Sequence, residues 1–164
     1  SVESNDKWGF IDTKGKMVIP CVYDLASPFS EGFASVVSND KCGFINTKGK
    51  MVIPCVYDHA WSFSEGFACV GSNDKWGFID TKGKMVIPCI YDYAQPFSKG
   101  LACVVSNDKW GFIDTKGEMV IPCIYDAAWP FREGFARVNS NGKWGVINQS
   151  GEFVIPPIAD WIWR

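Results

Sequence analysis

Asn5-Asp6-Lys7-Trp8-Gly9-Phe10-Ile11-Asp12-Thr13-Lys14-Gly15-Lys16-Met17-Val18-Ile19-Pro20 is one copy of a string that this chain writes five times. Trp76, Trp110 and Trp144 return in the Trp8 place, Cys42 stands there in the second copy, and each anchor follows the last by 34 residues. A strict period in this range marks an array of one supersecondary unit. Such a unit cannot bury its own apolar face, so neighbours must stack.

Each unit carries three runs of strand-forming residues: Phe33–Ser38, then Lys41–Ile45 (Lys75–Ile79 in the next copy), then Met51–Tyr57. Val, Ile, Phe, Trp and Tyr dominate them, as strands require. Asn39-Asp40 separates the first two runs, and Asn141-Gly142 does so in the last copy. Asn-Gly is a strong hairpin signal because both turn positions need positive φ. Asp12-Thr13-Lys14-Gly15, or Asn148-Gln149-Ser150-Gly151, separates the second and third runs and suits a type I turn closed by a left-handed Gly. Two tight turns in succession predict a three-stranded antiparallel meander. The connector, Tyr23 to Gly32, is too short and too rich in Pro and Gly for a helix; Asp24 is placed to cap a single turn there.

Met17-Val18-Ile19 and Phe10-Ile11 are apolar at consecutive positions. Strands alternate faces, so this pattern predicts burial on both faces, with each small sheet sandwiched between neighbours. The expected fold is all-β: about five stacked three-stranded antiparallel β-meanders in an open β-solenoid or superhelix, or alternatively a closed five-bladed small β-propeller. One repeat domain covers residues 1–164, in units of approximately 1–32, 33–66, 67–100, 101–134 and 135–164. Gly9 and its equivalents fit close approach by a neighbouring backbone or ring. Trp8, Trp76, Trp110 and Trp144 read as a stacked core ladder. The fifth copy drifts furthest, at Arg137, Asn139, Val146, Phe153 and Pro157 and through its tail, as a capping unit does. The first copy is as crisp as an interior one, which favours a longer parent array and the open form.

Apolar residues make up 47 % and charged residues 21 % of the chain, values of a folded globular protein. The net charge of −2 and evenly spread Lys give no basic patch, so nucleic acid is not an expected partner. No apolar run reaches the roughly 18 residues of a membrane span, so no membrane insertion is expected. Seven cysteines fall into repeat columns instead of a ligand pattern: Cys21, Cys55, Cys89 and Cys123 share one, Cys69 and Cys103 another. With no C-x-x-C pair and one His, neither a metal nor another cofactor is expected. An odd number of thiols fits a reducing compartment.

The strings Lys-Trp-Gly-Phe-Ile-Asp, Gly-Lys-Met-Val-Ile-Pro, Tyr-Asp and Phe-Ser-Glu-Gly-Phe-Ala recur through essentially the whole chain. In these residues it resembles the bacterial WG-repeat family, also called KWG repeats. The resemblance implies an all-β tandem repeat, no enzymatic activity, and a role as an interaction module; the family has no catalytic motif to carry over. The chain departs from the pattern at Cys42, at Lys99 where other copies carry Glu31, Glu65 and Glu133, and in its C-terminal tail.

Catalysis needs a unique constellation of acid, base or nucleophile. Here the polar residues come in repeated columns. Asp12, Asn46, Asp80, Asp114 and Asn148 exchange carboxylate for amide, which a turn tolerates and a general base does not. The Glu31 column reverses sign at Lys99, which opposes a metal ladder. His59 occurs once and has no partner pattern. The informative positions are those where near-identical copies disagree. The residue after the connector Asp reads Leu25, His59, Tyr93, Ala127, Trp161; two further on the column reads Ser27, Trp61, Gln95, Trp129, Trp163. Loops on a rigid scaffold carry binding residues, and Trp and Tyr are enriched at interface hot spots. The expected binding ridge is therefore His59, Trp61, Tyr93, Gln95, Trp129, Trp161 and Trp163. A protein partner is the first expectation; a glycan-binding, lectin-like module using exposed Trp residues is the alternative.

Overall fold

A computed structural model describes residues 1–161. Those residues form five antiparallel sheets and no helix. First strands are Val2–Ser4, Phe33–Ser38, Phe67–Ser72, Leu101–Ser106 and Phe135–Ser140. Second strands are Lys7–Ile11, Lys41–Asn46, Lys75–Asp80, Lys109–Asp114 and Lys143–Asn148. Third strands are Met17–Tyr23, Met51–Tyr57, Met85–Tyr91, Met119–Tyr125 and Phe153–Ala159. The meander is thus as expected, and its turns have the expected chemistry. Asn39 and Asp40 both sit at positive φ, 51° and 60°, as the hairpin demands. Asp12 Oδ1 accepts the N–H groups of Lys14 and Lys16, each at 2.9 Å, and Gly15 follows at φ 80°.

The connector is more ordered than a single turn. It contributes a two-residue lead strand (Leu25–Ala26, His59–Ala60, Tyr93–Ala94, Ala127–Ala128) that pairs with the first strand of the following unit. Four sheets therefore have four strands, in the order lead, first, second, third; the sheet opening the chain has three. The connector then closes as a hairpin over Glu31-Gly32 and its equivalents, with Ser30 and Phe33 exchanging backbone hydrogen bonds. Both turn residues have positive φ, 51° at Glu31 and 83° at Gly32.

The expectation of two buried faces along Met17-Val18-Ile19 needs correction. Only the Ile of that run is buried. The third strand is the edge of its sheet, so one side packs on the neighbouring unit and the other meets solvent. Val22, Val56, Ile90, Ile124 and Ile158 lie on this edge at 53–71 % exposure. The edge also explains the proline in every third strand, since an edge tolerates a missing N–H. There the strand bulges: Trp76 faces Tyr91 and Phe78 faces Ile87, leaving Gly77 alone against the intervening residues. A Cβ on Gly77 would lie 2.4 Å from the Ile87 carbonyl oxygen and 2.7 Å from the Cys89 nitrogen. Gly is there because the third-strand backbone occupies the side-chain space.

The core lies in layers between successive sheets. One layer joins Phe78, Ile87 and Tyr91 to Phe97, Ala102, Val104 and Ile113 of the next unit's surroundings, and the other junctions repeat it. The connector Phe locks each layer: Phe97 meets Phe78 at 4.7 Å between ring centroids, and Phe131 meets Phe112 at 4.8 Å. The third-strand Ile packs on the turn Gly of the next unit; Ile87 Cγ1 is 3.1 Å from the point a Gly117 Cβ would take. At the two ends the columns lose their cover. Ile11 is 42 % exposed where Ile45, Ile79, Ile113 and Ile147 are fully buried, and Ile155 is 42 % exposed where Ile19, Ile53, Ile87 and Ile121 are at 2–3 %.

Candidate functional site

The two variable columns take different places. The first belongs to the lead strand, so its residues are built into a sheet and pack on the Trp column. His59 stacks on Trp76 with ring centroids 5.6 Å apart and planes 16° from parallel. Gly71 permits this face-to-face contact: a Cβ there would come 3.2 Å from His59 Cβ and 3.6 Å from a Trp76 ring carbon. In the next sheet Val105 fills the Gly71 place, and Tyr93 meets Trp110 edge-on at 5.7 Å. Tyr93 also meets Trp76 across the junction at 5.9 Å. His59, Trp76, Tyr93 and Trp110 thus form one continuous aromatic file. Trp161 extends the motif at the far end, edge-on to Trp144 at 6.2 Å. The Trp column is half-buried, so it is a ladder flanking the core, with connector residues as alternate rungs, and not a file of fully buried rings.

The second column stands further out. Trp61 is 45 % and Trp129 52 % exposed. Their backbones are nevertheless fixed: Trp61 N–H donates to the Cys69 carbonyl and Trp129 N–H to the Arg137 carbonyl, each at 2.9 Å. The Arg137 guanidinium lies 5.5 Å from the centre of the Trp129 ring, a cation–π distance. Gln95 is half-buried and its Oε1 is buried without a hydrogen-bond partner among the described residues. Trp163, the last member of the expected ridge, lies outside the described residues.

Three polar staples join one unit to the next, and reading the sequence by columns did not reveal them. Ser30 Oγ donates to the Phe63 carbonyl at 2.9 Å, with Ser64 and Ser98 repeating the contact. The Glu31 carboxylate accepts the N–H groups of Glu65 and Gly66 at 2.7 and 3.0 Å; Glu65 does the same for Lys99 and Gly100 at 2.6 and 2.9 Å. Asp24 pairs with the Lys7 ammonium and accepts the Asn39 N–H of the next hairpin at 3.0 Å. The aspartate column is therefore a clamp between units and not a cap on its own connector. The signal for it was present as two invariant columns 17 residues apart, Lys7 to Asp24, Lys41 to Asp58 and onward. Hydrogen bonding from lysine, and then from the asparagine N–H, holds the carboxyls of Asp24, Asp58, Asp92 and Asp126 below the usual carboxylate range.

A family model described as a WG-containing repeat matches residues 8–42, 43–76, 76–110, 110–144 and 144–164. The chain belongs to the WG-repeat family. No curated protein matches it. Among solved structures it is similar to a plant lectin with two metal-binding sites from Cicer arietinum, at TM-score 0.33 and 15 % identity over 85 % of this chain and 89 % of that one. It is also similar to the hemopexin-fold protein CP4 from cow pea, at TM-score 0.33 and 14 % identity over 77 % and 87 %. Likenesses this loose set no residue of one protein against a residue of the other.

The seven thiols of this WG-repeat chain are unpaired. Cys69 and Cys103 are buried, and desolvation pushes both thiols up, Cys103 to about 12. A protonated, enclosed thiol is a poor nucleophile and a poor metal ligand. No group of three or more His, Cys, Asp or Glu among the described residues is gathered to hold a metal ion. What the WG units do present is a rim of fixed backbone carrying large, half-exposed aromatic side chains.

Proposed function

We propose that this protein is a non-enzymatic repeat scaffold that binds another protein through its connector rim. The observation that carries the reading is the pair Trp61 and Trp129. They are large, about half exposed, and anchored by backbone hydrogen bonds in a column whose other described members are Ser27 and Gln95. The fold does not need Trp at that position, because Ser27 occupies it in the same backbone pairing. Rigid aromatic anchors on an ordered loop bind at low entropic cost. His59 and Tyr93 back the rim by packing on the Trp ladder. That packing also favours a protein over a sugar. Rings 5.6–5.9 Å apart are in contact with each other, so the file is a filled ridge and not a row of clefts that could each hold a pyranose ring.

The array on which the rim is mounted is read as open, a solenoid or superhelix. Uncovered Ile11 at one end and uncovered Ile155 at the other support this, since closure into a ring would bury both columns against each other. An open array gives the rim a straight or gently curved run of connectors.

The test is affinity capture with the wild-type chain and with a Trp61→Ala/Trp129→Ala variant, both checked for native circular dichroism. Neither Trp is in the core, so each substitution should cost under about 1 kcal/mol. A protein retained by the first and lost by the second carries the reading. Equal retention by both chains, or saturable tryptophan quenching by a member of a glycan panel, overturns it.

A further inference from the structure

The Glu-Gly hairpin turn is a ready-made carboxylate receptor, and the chain shows this twice. At Glu65-Gly66 the two N–H groups grip the two oxygens of Glu31; at Lys99-Gly100 they grip those of Glu65. Successive N–H groups in a turn of this kind form an anion-binding concavity, a nest. The turn recurs at Glu133-Gly134 with the same geometry, φ 52° and 85°. There the residue in the gripping position is Lys99, which has no acceptor to offer. The N–H groups of Glu133 and Gly134 have no acceptor among the described residues.

A second departure from the repeat falls on the same corner. Ser30, Ser64 and Ser98 precede the other turns, and Arg132 precedes this one. Neither Lys99 nor Arg132 has an ion pair among the described residues. In this one connector, then, an internal carboxylate has been replaced by a cation, and a second cation immediately precedes the same pair of donors along the chain. The connector is also the one that carries Trp129.

We propose that the Glu133-Gly134 turn, with Lys99 and Arg132 beside it, is a binding site for a carboxylate presented by a protein partner. This rests on the partner-binding reading of the rim and names its chemistry. The two turn N–H groups take one oxygen each, as they do for Glu31 and Glu65, and the two cations supply the charge that makes an external carboxylate preferable to water.

The experiment is a titration of the ¹⁵N-labelled 164-residue chain with acetyl-tetraglutamate amide, with acetyl-tetraglutamine amide and inorganic phosphate as comparisons. The amides of Glu133 and Gly134 should shift saturably with the glutamate peptide and stay still with the glutamine peptide. Lys99→Glu restores the internal staple: it should raise the melting temperature, move the two amides toward the positions of their capped counterparts, and weaken the peptide by at least about tenfold. Lys99→Ala should weaken it less and keep the two amides responsive. Unmoved amides, an undiminished response in Lys99→Glu, or phosphate saturating below the glutamate peptide would each overturn the proposal. Because the readout is at two turn amides, its failure is separable from failure of the Trp61/Trp129 rim, which is read by partner capture.

Discussion

Ile87 and Ile155 occupy one column of the repeat, yet stacking covers only the first. Ile87 is 2 % exposed and rests on Gly117, while Ile155 is 42 % exposed. Replacing Ile87 by Ala removes three buried carbon groups, worth about 0.8 kcal/mol each in transfer, and leaves a cavity between two sheets. The expected loss is about 3–4 kcal/mol. The same change at Ile155 gives up roughly half the transfer term and encloses no cavity, for an expected loss near 1 kcal/mol. Urea denaturation, followed by tryptophan fluorescence and by circular dichroism, measures both. The two signals must be compared because an array can unfold in parts. Losses that agree within about 0.5 kcal/mol would refute the argument that neighbouring units, and not the sheet itself, bury this column.

Gly77→Ala places a methyl among backbone atoms at 2.4–2.7 Å; since none of them is a flexible side chain, a loss of about 2–3 kcal/mol or more is expected, measured as a fall in the urea midpoint. Glu65→Ala removes one inter-unit staple and should cost about 1 kcal/mol, as loss of a helix N-cap does; a thermal melt unchanged from wild type would show the staple to be inert. The four clamped aspartates give a pH dependence. Their carboxyls are lower in the folded chain than in the unfolded one, so their contribution is complete above about pH 4 and is lost as pH falls through the native values. Stability should be flat from about pH 5 to 7 and decline below pH 4, and an Asp58→Asn/Asp92→Asn chain should decline less steeply.

Asn39-Asp40 and Asp12 to Gly15 marked their turns because a positive φ and a side-chain acceptor are local demands, met or failed within four residues. Gly77 was recognisable as a point of close approach, although the atoms that approach it belong to a bulge in its own sheet. The Glu31-Gly32 hairpin carries no local turn signal at its first position, because Glu is not a usual residue at positive φ; only stacking shows that at Glu65-Gly66 and Lys99-Gly100 the N–H groups of this turn are held by a carboxylate from the preceding unit. The expected burial of Met17 and Val18 fails for a related reason. Consecutive apolar residues are compatible with a central strand or with an exposed edge, and periodicity does not distinguish them.

The sequence alone determined the unit, its three long strands, its two tight turns and the all-β class, because each rests on local backbone preference repeated five times over. It also picked out Trp61 and Trp129, by comparison of one copy with the next. Tertiary structure decided which side of each strand meets a neighbour, that each connector lends a strand to the following sheet, and that His59 and Tyr93 fill the Trp ladder. It also decided that Glu31, Asp24 and Ser30 act between units. Those outcomes depend on contacts between residues 15 to 35 positions apart, and a local pattern carries no information about which groups stacking brings within hydrogen-bonding reach.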